Sequence, residues 1–323
     1  MTPLLSVKNL STHFFTGGSV IKAVDQISYE LNAGETLGVV GESGCGKSVS
    51  ALSLLRLIPD PPGKIVGGEI LFEGRDLLKV TKKELCSIRG NQIAMIFQEP
   101  MSSLNPVQRI GRQVREPLMV HQKMKKRGAT AAAIKELKKV RIPDSENRIQ
   151  DFPHHFSGGM RQRAMIAMGL TCAPKLIIAD EPTTALDVTI QAQLLSLMKQ
   201  LTQESGTALI IITHNLGIIA RYANRVNVMY AGRIVEKSAA GELYKHPKHP
   251  YTIGLMASVP QLNRDVRSCL TPIEGQPPDL GDLPAGCAFA PRCRFAVEKC
   301  RLEAPELRTI SDGHEIACWV DVE

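Results

Sequence analysis

The hydrophobic positions along the chain fall into short apolar runs that alternate with segments of helical periodicity. Residues 36–40, 176–179 and 208–213 are almost entirely apolar, as in strands that are buried on both faces of a sheet. Residues 49–58 and 188–203 carry apolar side chains at helical spacing. Buried strands that alternate with helices predict an α/β core with a mostly parallel sheet.

Weaker patterns complete this outline and divide the chain. We predict further strands at 5–10, 19–24, 69–72, 93–97, 226–230 and 233–236, and further helices at 131–140, 216–224 and 251–258. Between 105 and 172 the pattern becomes helical, which predicts a helical subdomain inserted into the core. After residue 245 prolines become frequent and periodicity fades. These changes predict a large domain at 1–245 and a small, irregular Cys- and Pro-rich domain at 246–323.

Composition and the distribution of apolar residues indicate where in the cell the protein is found. The chain has 323 residues, of which 43% are hydrophobic, enough for one large core and a smaller domain. No apolar run approaches the roughly 18–20 residues that span a bilayer. The first residues lack the basic region, apolar stretch and cleavage site of a signal peptide. We therefore expect a cytoplasmic protein.

The charge of the chain leaves its partners open. A net charge of +7 and a pI near 9.0 would suit nucleic acid or anionic lipid headgroups. The basic residues are dispersed, however, and their densest cluster, at 123–127, lies beside a predicted helix. Such a cluster is typical of a solvated helix face, and no nucleic-acid recognition motif accompanies it. We expect no nucleic-acid partner.

The sequence GESGCGKS at 41–48 lies between a predicted strand and a predicted helix. It matches the pattern GxxxxGKS, whose glycines turn backbone N–H groups toward a phosphate while the helix start adds partial positive charge. The lysine can reach the β- and γ-phosphates of ATP, and the final serine can bind Mg²⁺. The predicted nucleotide-binding residues of this loop are Ser43, Gly44, Cys45, Gly46, Lys47 and Ser48.

Two acidic residues, Asp180 and Glu181, follow the apolar run at 176–179. In this position Asp180 can hold Mg²⁺ through water, and Glu181 can orient or deprotonate the water that attacks the γ-phosphate. Taken alone, the pair could equally be two solvated acids at a strand end. The phosphate loop in the same chain favours the catalytic interpretation.

The sequence FSGGMRQR at 156–163 precedes the acidic pair by a short helix. It resembles LSGGQ, the signature of ATP-binding-cassette (ABC) ATPases, with Phe for the first Leu and Met for Gln. Its centre, Ser157, Gly158 and Gly159, opens a helix and so offers a second anion-binding helix start. The resemblance implies the P-loop ABC-ATPase fold and a head-to-tail dimer, in which each signature caps the ATP held by the other subunit.

Further positions match this family in order and spacing, over about residues 4–245. By resemblance, Gln98 is the glutamine that touches Mg²⁺ and senses the γ-phosphate. Asp187 belongs to the loop that crosses the dimer interface, and His214 is the histidine that contacts the γ-phosphate. Phe14 stands where an aromatic ring stacks on adenine, with Phe15 as the alternative. The implied catalytic residues are Glu181 and His214.

ABC ATPases perform several kinds of work. Soluble members that act on ribosomes carry two cassettes in one chain, and those that act on DNA carry a very long coiled coil. This chain resembles a single cassette with a short insert, which favours transport. The resemblance then implies a second ATPase subunit and two separate transmembrane permease subunits, with this chain peripheral on the cytoplasmic face of the cell membrane.

The tail resembles the C-terminal region of dipeptide and oligopeptide permease ATPases. The resemblance rests on HPYT at 249–252, the Pro-rich stretch after it, and GCAFAPRC at 286–293. It implies import of peptides delivered by an extracytoplasmic binding protein, and it implies that the second ATPase is a different chain. The same family includes nickel and some sugar-oligomer importers, which stay open as alternatives.

Five of the eight cysteines crowd the tail. Four of them, Cys287, Cys293, Cys300 and Cys318, lack the CxxC pair of most structural zinc sites. Thiolates on longer loops can instead enclose an iron–sulfur cubane, and some members of the resembled family carry a [4Fe–4S] cluster here. We favour this cluster, with zinc or unligated thiols as alternatives, and we leave Cys269 outside the set.

Overall fold

The computed structural model describes residues 2–99, 103–183, 187–258 and 273–322. The strands in chain order are β1 (Leu5–Thr16), β2 (Ser19–Leu31), β3 (Thr36–Val40), β4 (Gly63–Phe72), β5 (Arg75–Asp76), β6 (Ile93–Ile96), β7 (Leu176–Asp180), β8 (Ala208–Thr213), β9 (Arg225–Tyr230), β10 (Arg233–Ala239), β11 (Arg308–Ser311) and β12 (His314–Ile316).

The helices within the described residues follow the same order. They are α1 (Lys47–Leu54), α2 (Lys82–Ile88), α3 (Ile110–His121), α4 (Lys126–Lys139), α5 (Ser145–Arg148), α6 (Gly158–Leu170), α7 (Val188–Ser205), α8 (Leu216–Tyr222), α9 (Ala240–Lys245), α10 (Pro250–Ala257) and α11 (Glu298–Leu302). None of these helices is both long and apolar enough to cross a membrane.

The chain folds into two compact units. The first comprises Met1–Leu31, Thr36–Leu78 and Ile212–Glu323, and the second comprises Asn32–Glu35 and Lys79–Ile211. The phosphate loop and the Cys-rich tail therefore share the first unit, while the acidic pair and the signature sequence share the second.

The first unit contains two groups of strands. An antiparallel sheet has the order β2-β1-β4-β5, and the apolar residues Leu5, Val7 and Leu10 of β1 are buried in it. A second group has the order β11-β12-β10-β9-β3, in which β3 and β9 are parallel and the other neighbours are antiparallel. The tail, which has no clear strand pattern in the sequence, thus adds two short strands beside β10.

Helix α1 follows β3 after a loop, as the sequence predicts, but its bounds differ. The prediction of 49–58 is wrong at both ends, because the helix begins at Lys47 and ends at Leu54. Arg56 has a positive φ of 52°, and a left-handed residue cannot continue a right-handed helix. This backbone turn stops the helix four residues before the predicted end at residue 58.

The second unit contains helices and short strands that are mostly buried. Strands β6 and β7 are parallel, β8 lies on the other side of β7, and every residue of β7 and β8 is buried. The segment 105–172 contains α3, α4, α5 and α6, in agreement with its helical periodicity. Helix α4 begins at Lys126, five residues before the predicted start, and buries Ala129, Ala133 and Leu137, while the basic residues around Lys125 stay exposed.

Candidate nucleotide-binding and tail sites

The phosphate loop of the first unit depends on glycine. Gly44 and Gly46 have φ values of 81° and 98°, which side chains with a Cβ rarely adopt. A Cβ on Gly46 would lie 2.1 Å from the carbonyl oxygen of Ala23, and one on Gly41 would lie 2.2 Å from that of Met229. These close approaches of backbone to backbone explain why the loop needs glycine at these positions.

Lys47 is the first residue of α1 and is 4% exposed. Its Nζ donates hydrogen bonds to the carbonyl oxygens of Gly41 and Glu42, both at 2.8 Å. The ammonium therefore lies against the loop that it would serve, and its position is fixed by loop backbone. Within the same loop Ser43 and Gly44 are exposed to solvent, which leaves the outer part of the loop open to a ligand.

The other predicted site residues of the first unit lie within or directly after strands: Phe14 and Phe15 belong to β1, and His214 follows β8. Phe14 is partly buried, and a Cβ on Gly63 would lie 2.8 Å from its ring, whereas the ring of Phe15 is 50% exposed. His214 is exposed directly after β8. Its neighbour Asn215 caps α8 by accepting a hydrogen bond from the N–H of Gly217 at 2.9 Å, which fixes the backbone that carries the histidine.

In the second unit, the structure brings two predicted site residues together. The amide Nε2 of Gln98 donates to Oε2 of Glu181 at 3.3 Å. Asp180 is the last residue of β7 and is 6% exposed. Glu181 has a φ of 44°, an uncommon conformation for a residue with a side chain, and such backbone conformations cluster at functional sites. The strand end therefore holds the glutamate in a fixed orientation beside Gln98.

The signature sequence forms the start of α6. Ser157 is the N-cap and accepts a hydrogen bond from the N–H of Met160 at 3.3 Å. Arg161 donates from Nε to the carbonyl oxygen of Pro153 at 2.7 Å, which ties the first turn to the preceding loop. Phe156, which replaces the usual leucine, is 2% exposed. The first residues, Gly158 and Gly159, therefore open a helix of 13 residues whose partial positive charge can attract an anion.

The position of Asp187 is explained by a local structural role at a helix start. It is the N-cap of α7 and accepts a hydrogen bond from the N–H of Ile190 at 2.9 Å. Residues 184–186, which complete the predicted interface loop, lie outside the described residues. A role for Asp187 across a dimer interface remains a prediction.

The four tail cysteines line one narrow pocket in the first unit. The pocket is bounded by Cys287, Cys293, Cys300 and Cys318 together with His249, Phe289 and Trp319. Burial, together with the nearby Cys300 and Cys318, raises the pKa of the Cys287 thiol to about 11. Burial also raises the pKa values of Cys293 and Cys318. Any metal at this site must therefore displace protons from the thiols.

In this structure the four thiols are not arranged as a metal-binding site. Across the described ranges, no group of three or more His, Cys, Asp or Glu side chains converges closely enough to hold a metal ion. Cys269 lies outside the described residues. The predicted set of four is nonetheless gathered around one space, although it is spread over 32 positions of the sequence between Cys287 and Cys318.

One contact at the phosphate loop has no signal in the sequence. Arg292 forms a two-pronged ion pair with Glu42, with Nη1 to Oε2 at 2.7 Å and Nη2 to Oε1 at 3.0 Å. Glu42 occupies a variable position of the GxxxxGKS pattern, and the two residues are 250 positions apart. Neither periodicity nor motif spacing can pair them.

This chain is similar to known ABC transporter proteins over most of its length. A family profile described as ABC transporter matches residues 24–184, and one described as the oligopeptide/dipeptide transporter C-terminal region matches residues 235–300. A probable peptide ABC transporter ATP-binding protein, y4tR, from Sinorhizobium fredii is 52% identical over 98% of this chain and 94% of its own length. The oligopeptide transport ATP-binding protein OppD of Bacillus subtilis is 50% identical over 99% of this chain and 89% of its own.

A solved structure shows a similar fold. The ATP-binding cassette MJ0796, solved as a dimer in a post-hydrolysis state bound to ADP and Pi, matches with a TM-score of 0.66 and 25% identity. The match covers 73% of this chain and 98% of that one. The predicted α/β ABC-ATPase fold is therefore confirmed.

Proposed function

The chain belongs to the ATP-binding proteins of peptide ABC transporters, and from this membership we propose that it powers the import of di- or oligopeptides. The predicted family and the predicted class of activity are confirmed, and the chain is an ATPase of the ABC family. The relatives favour transport over the alternative of a soluble ABC ATPase that acts on nucleic acid or ribosomes.

The observation that carries the proposed nucleotide site is the position of Lys47. Its ammonium is buried at the head of α1 and held by two carbonyl groups of the phosphate loop. There it can neutralise the β- and γ-phosphates, aided by the backbone N–H groups of the loop. An exposed aromatic ring such as that of Phe15 offers a surface on which adenine can stack.

The second unit carries residues that family resemblance assigns to hydrolysis. The same resemblance assigns Mg²⁺, which neutralises phosphate charge when it is bound, to Ser48, Gln98 and Asp180. Glu181 orients the attacking water and accepts its proton, with Gln98 holding the carboxylate. His214 contributes a hydrogen bond to the γ-phosphate. These roles follow from residue chemistry and from family resemblance.

A second copy of the signature sequence would complete the site. The N-terminal turn of α6, capped by Ser157, presents backbone N–H groups and partial positive charge, and one nucleotide does not need two such cradles from one chain. The dimeric state of MJ0796 with ADP and Pi supports a shared site. We therefore propose that an isolated chain binds ATP but hydrolyses it poorly, and that a second, different ATPase subunit supplies the missing turn.

The importer also needs components that this chain does not contain. Two permease subunits would form the pore, and an extracytoplasmic protein would deliver the cargo. The chain would dock on the permease subunits at the cytoplasmic face of the membrane. The names of the relatives, which refer to peptide and oligopeptide transport, support peptides over nickel or oligosaccharides as cargo.

We expect the cognate extracytoplasmic binding protein to bind short peptides and to ignore nickel and oligosaccharides. In the proposed importer the cargo contacts that protein and the pore, so the binding protein is the component whose ligand identifies the cargo. Calorimetric titration of the purified binding protein with a mixed dipeptide and oligopeptide set, Ni²⁺ and an oligosaccharide set checks this. Tight binding of Ni²⁺ or of a sugar, with no response to peptides, would move the chain to another branch of the same transporter family.

For the tail, we propose that Cys287, Cys293, Cys300 and Cys318 hold a [4Fe–4S] cluster. The support for this proposal is that the four cysteines border one pocket and that thiolates are the usual ligands of such clusters; the four sulfur atoms would have to converge further to hold the cluster. The cluster would act as a staple for a small domain with little apolar core. Zinc, with the same four ligands, is the alternative that its chemistry allows.

We expect anaerobically purified protein to be coloured and to contain about four iron and four sulfide per chain. Cys300→Ser should remove most of the visible absorbance and iron, because it deletes one ligand. Cys86→Ser is the matched control, since Cys86 is exposed on α2 and should leave both unchanged. A colourless protein, with stoichiometric zinc or with no metal, would overturn the cluster.

A further inference from the structure

We propose that Arg292 of the Cys-rich tail is a positioning residue of the nucleotide site, which it serves by fixing Glu42 and with it the phosphate loop. The proposal rests on the proposed nucleotide site at 41–48. It gives the tail a direct part in ATP binding, in addition to any structural role of its cysteines.

The ion pair between these residues has the geometry of a strong contact. Both terminal nitrogens of Arg292 engage both carboxylate oxygens of Glu42, at 2.7 and 3.0 Å. The side chain of Arg292 is 6% exposed and that of Glu42 is 24% exposed. Two-pronged, partly desolvated arginine–carboxylate pairs are stronger and more directional than exposed pairs. The contact therefore fixes an orientation as well as a charge.

Glu42 is held at three points, and one of them is the lysine of the phosphate loop. Its carboxylate pairs with Arg292, its backbone N–H donates to the hydroxyl of Tyr251 at 2.8 Å, and its carbonyl oxygen accepts from Nζ of Lys47 at 2.8 Å. Tyr251 is fully buried, and its ring lies 5.5 Å from that of Phe289 in the tail. The tail thus contacts the residue that anchors Lys47.

All the N–H groups of the Arg292 guanidinium make contacts, which together fix the orientation of the side chain. Besides Glu42, Nε donates to the carbonyl oxygen of Glu274 at 3.0 Å, Nη2 to that of Gly275 at 3.3 Å, and Nη1 to the hydroxyl of Tyr230 at 3.4 Å. A guanidinium has five N–H groups, and these five contacts match them. Lysine cannot reproduce such a set.

The position of Arg292 in the tail connects the loop to the thiol pocket. The residue ends a short 3-10 turn, Ala290–Arg292, directly before Cys293. Whatever holds Cys287 and Cys293 in place therefore also holds this turn. Arg292 also offsets the negative charge of Glu42, which would otherwise face the phosphates of ATP at close range. Loss of the pair should weaken ATP binding through a looser loop and through charge repulsion.

The test measures binding of a fluorescent ATP analogue, with Mg²⁺, to the full chain. We expect Arg292→Ala to raise the dissociation constant about tenfold and Glu42→Gln about threefold. Because the double variant lacks the contact but also lacks the repelling carboxylate, its dissociation constant should be raised only about threefold and should not reach the product of about thirtyfold. Arg292→Lys should fall between the wild type and Arg292→Ala. Arg294→Ala, a neighbouring exposed arginine, is the control and should leave binding unchanged.

Amide hydrogen exchange of residues 41–48 separates a positioning role from a structural one. The proposal expects faster exchange in the loop for Arg292→Ala and also for Glu42→Gln, a change that leaves the tail intact. A purely structural role in the tail predicts unchanged exchange in the loop and effects that multiply in the double variant, and either result would overturn the proposal. Lys47→Ala serves as the reference. If it leaves ATP binding intact, the proposed nucleotide site fails; if it abolishes binding while Arg292→Ala has no effect, this inference alone fails.

Discussion

Glu181→Gln is expected to leave ATP binding close to that of the wild type and to lower ATP turnover by about 10²–10⁴-fold, the usual contribution of a positioned general base. Glutamine keeps the length of the side chain and an oxygen that can accept the hydrogen bond from Gln98, now 3.3 Å from the carboxylate. It cannot accept a proton from water. Binding, which depends on the phosphate loop, and turnover should therefore separate.

The measurement uses the assembled transporter, in which the corresponding carboxylate of the second ATPase subunit is also replaced. Glu204→Gln is the matched control, because it removes an exposed carboxylate at the end of α7 and should leave both quantities unchanged. With ATP present, the two isolated ATPase subunits that carry these replacements should also accumulate a dimer that is visible by light scattering. Wild-type turnover in this variant would remove Glu181 from its proposed role.

The parts of this structure that could be predicted from sequence are those with a local physical cause. Gly46 must be glycine because of its φ and its approach to Ala23, so a motif marks it. Asp180 ends a fully buried strand, and an apolar run followed by acidic residues marks that end. Ser157 caps a helix, and the small residues after it mark the start. Each of these signals lies within a few positions of its cause.

Features that depend on distant contacts could not be predicted in this way. The pair of Glu42 and Arg292 joins positions 250 apart, and nothing near either residue requires the other. The strands β11 and β12 are too short to show an alternating pattern, and their conformation is decided by the pairing of β12 with β10 and of β11 with β12. The end of α1 differs from the predicted residue 58 because a single backbone angle, at Arg56, stops the helix earlier.

The thiol pocket could be predicted from the sequence in part. Spacing alone could group Cys287, Cys293, Cys300 and Cys318, and the structure places all four around one space. Spacing could not show that the pocket also borders His249 and Phe289, next to the helix that carries Tyr251. The cysteines and the phosphate loop thus share supporting residues, although they are distant in sequence.

Ser157→Arg is expected to leave ATP binding by the chain's own phosphate loop unchanged and to lower turnover of the assembled transporter by about 10²-fold, the scale for loss of one anion-stabilising donor set. The change removes the hydrogen bond that caps α6, worth about 1 kcal/mol, and places a bulky side chain where the proposed site receives phosphate. The ATP affected is that of the partner subunit. Binding to the chain alone therefore has no reason to change.

Ser157→Thr separates the geometry of the helix start from general damage to the second unit. Threonine also caps helices, so it should preserve the hydrogen bond from Met160 and most of the turnover. ATP affinity of the isolated chain and turnover of the assembled transporter are the two measurements. If Ser157→Arg weakened ATP binding by the isolated chain, the signature would act within its own subunit and the shared site would be wrong. If Ser157→Arg left turnover of the assembled transporter unchanged, the start of α6 would not contact nucleotide, and its anion-binding turn would have no role in the proposed site.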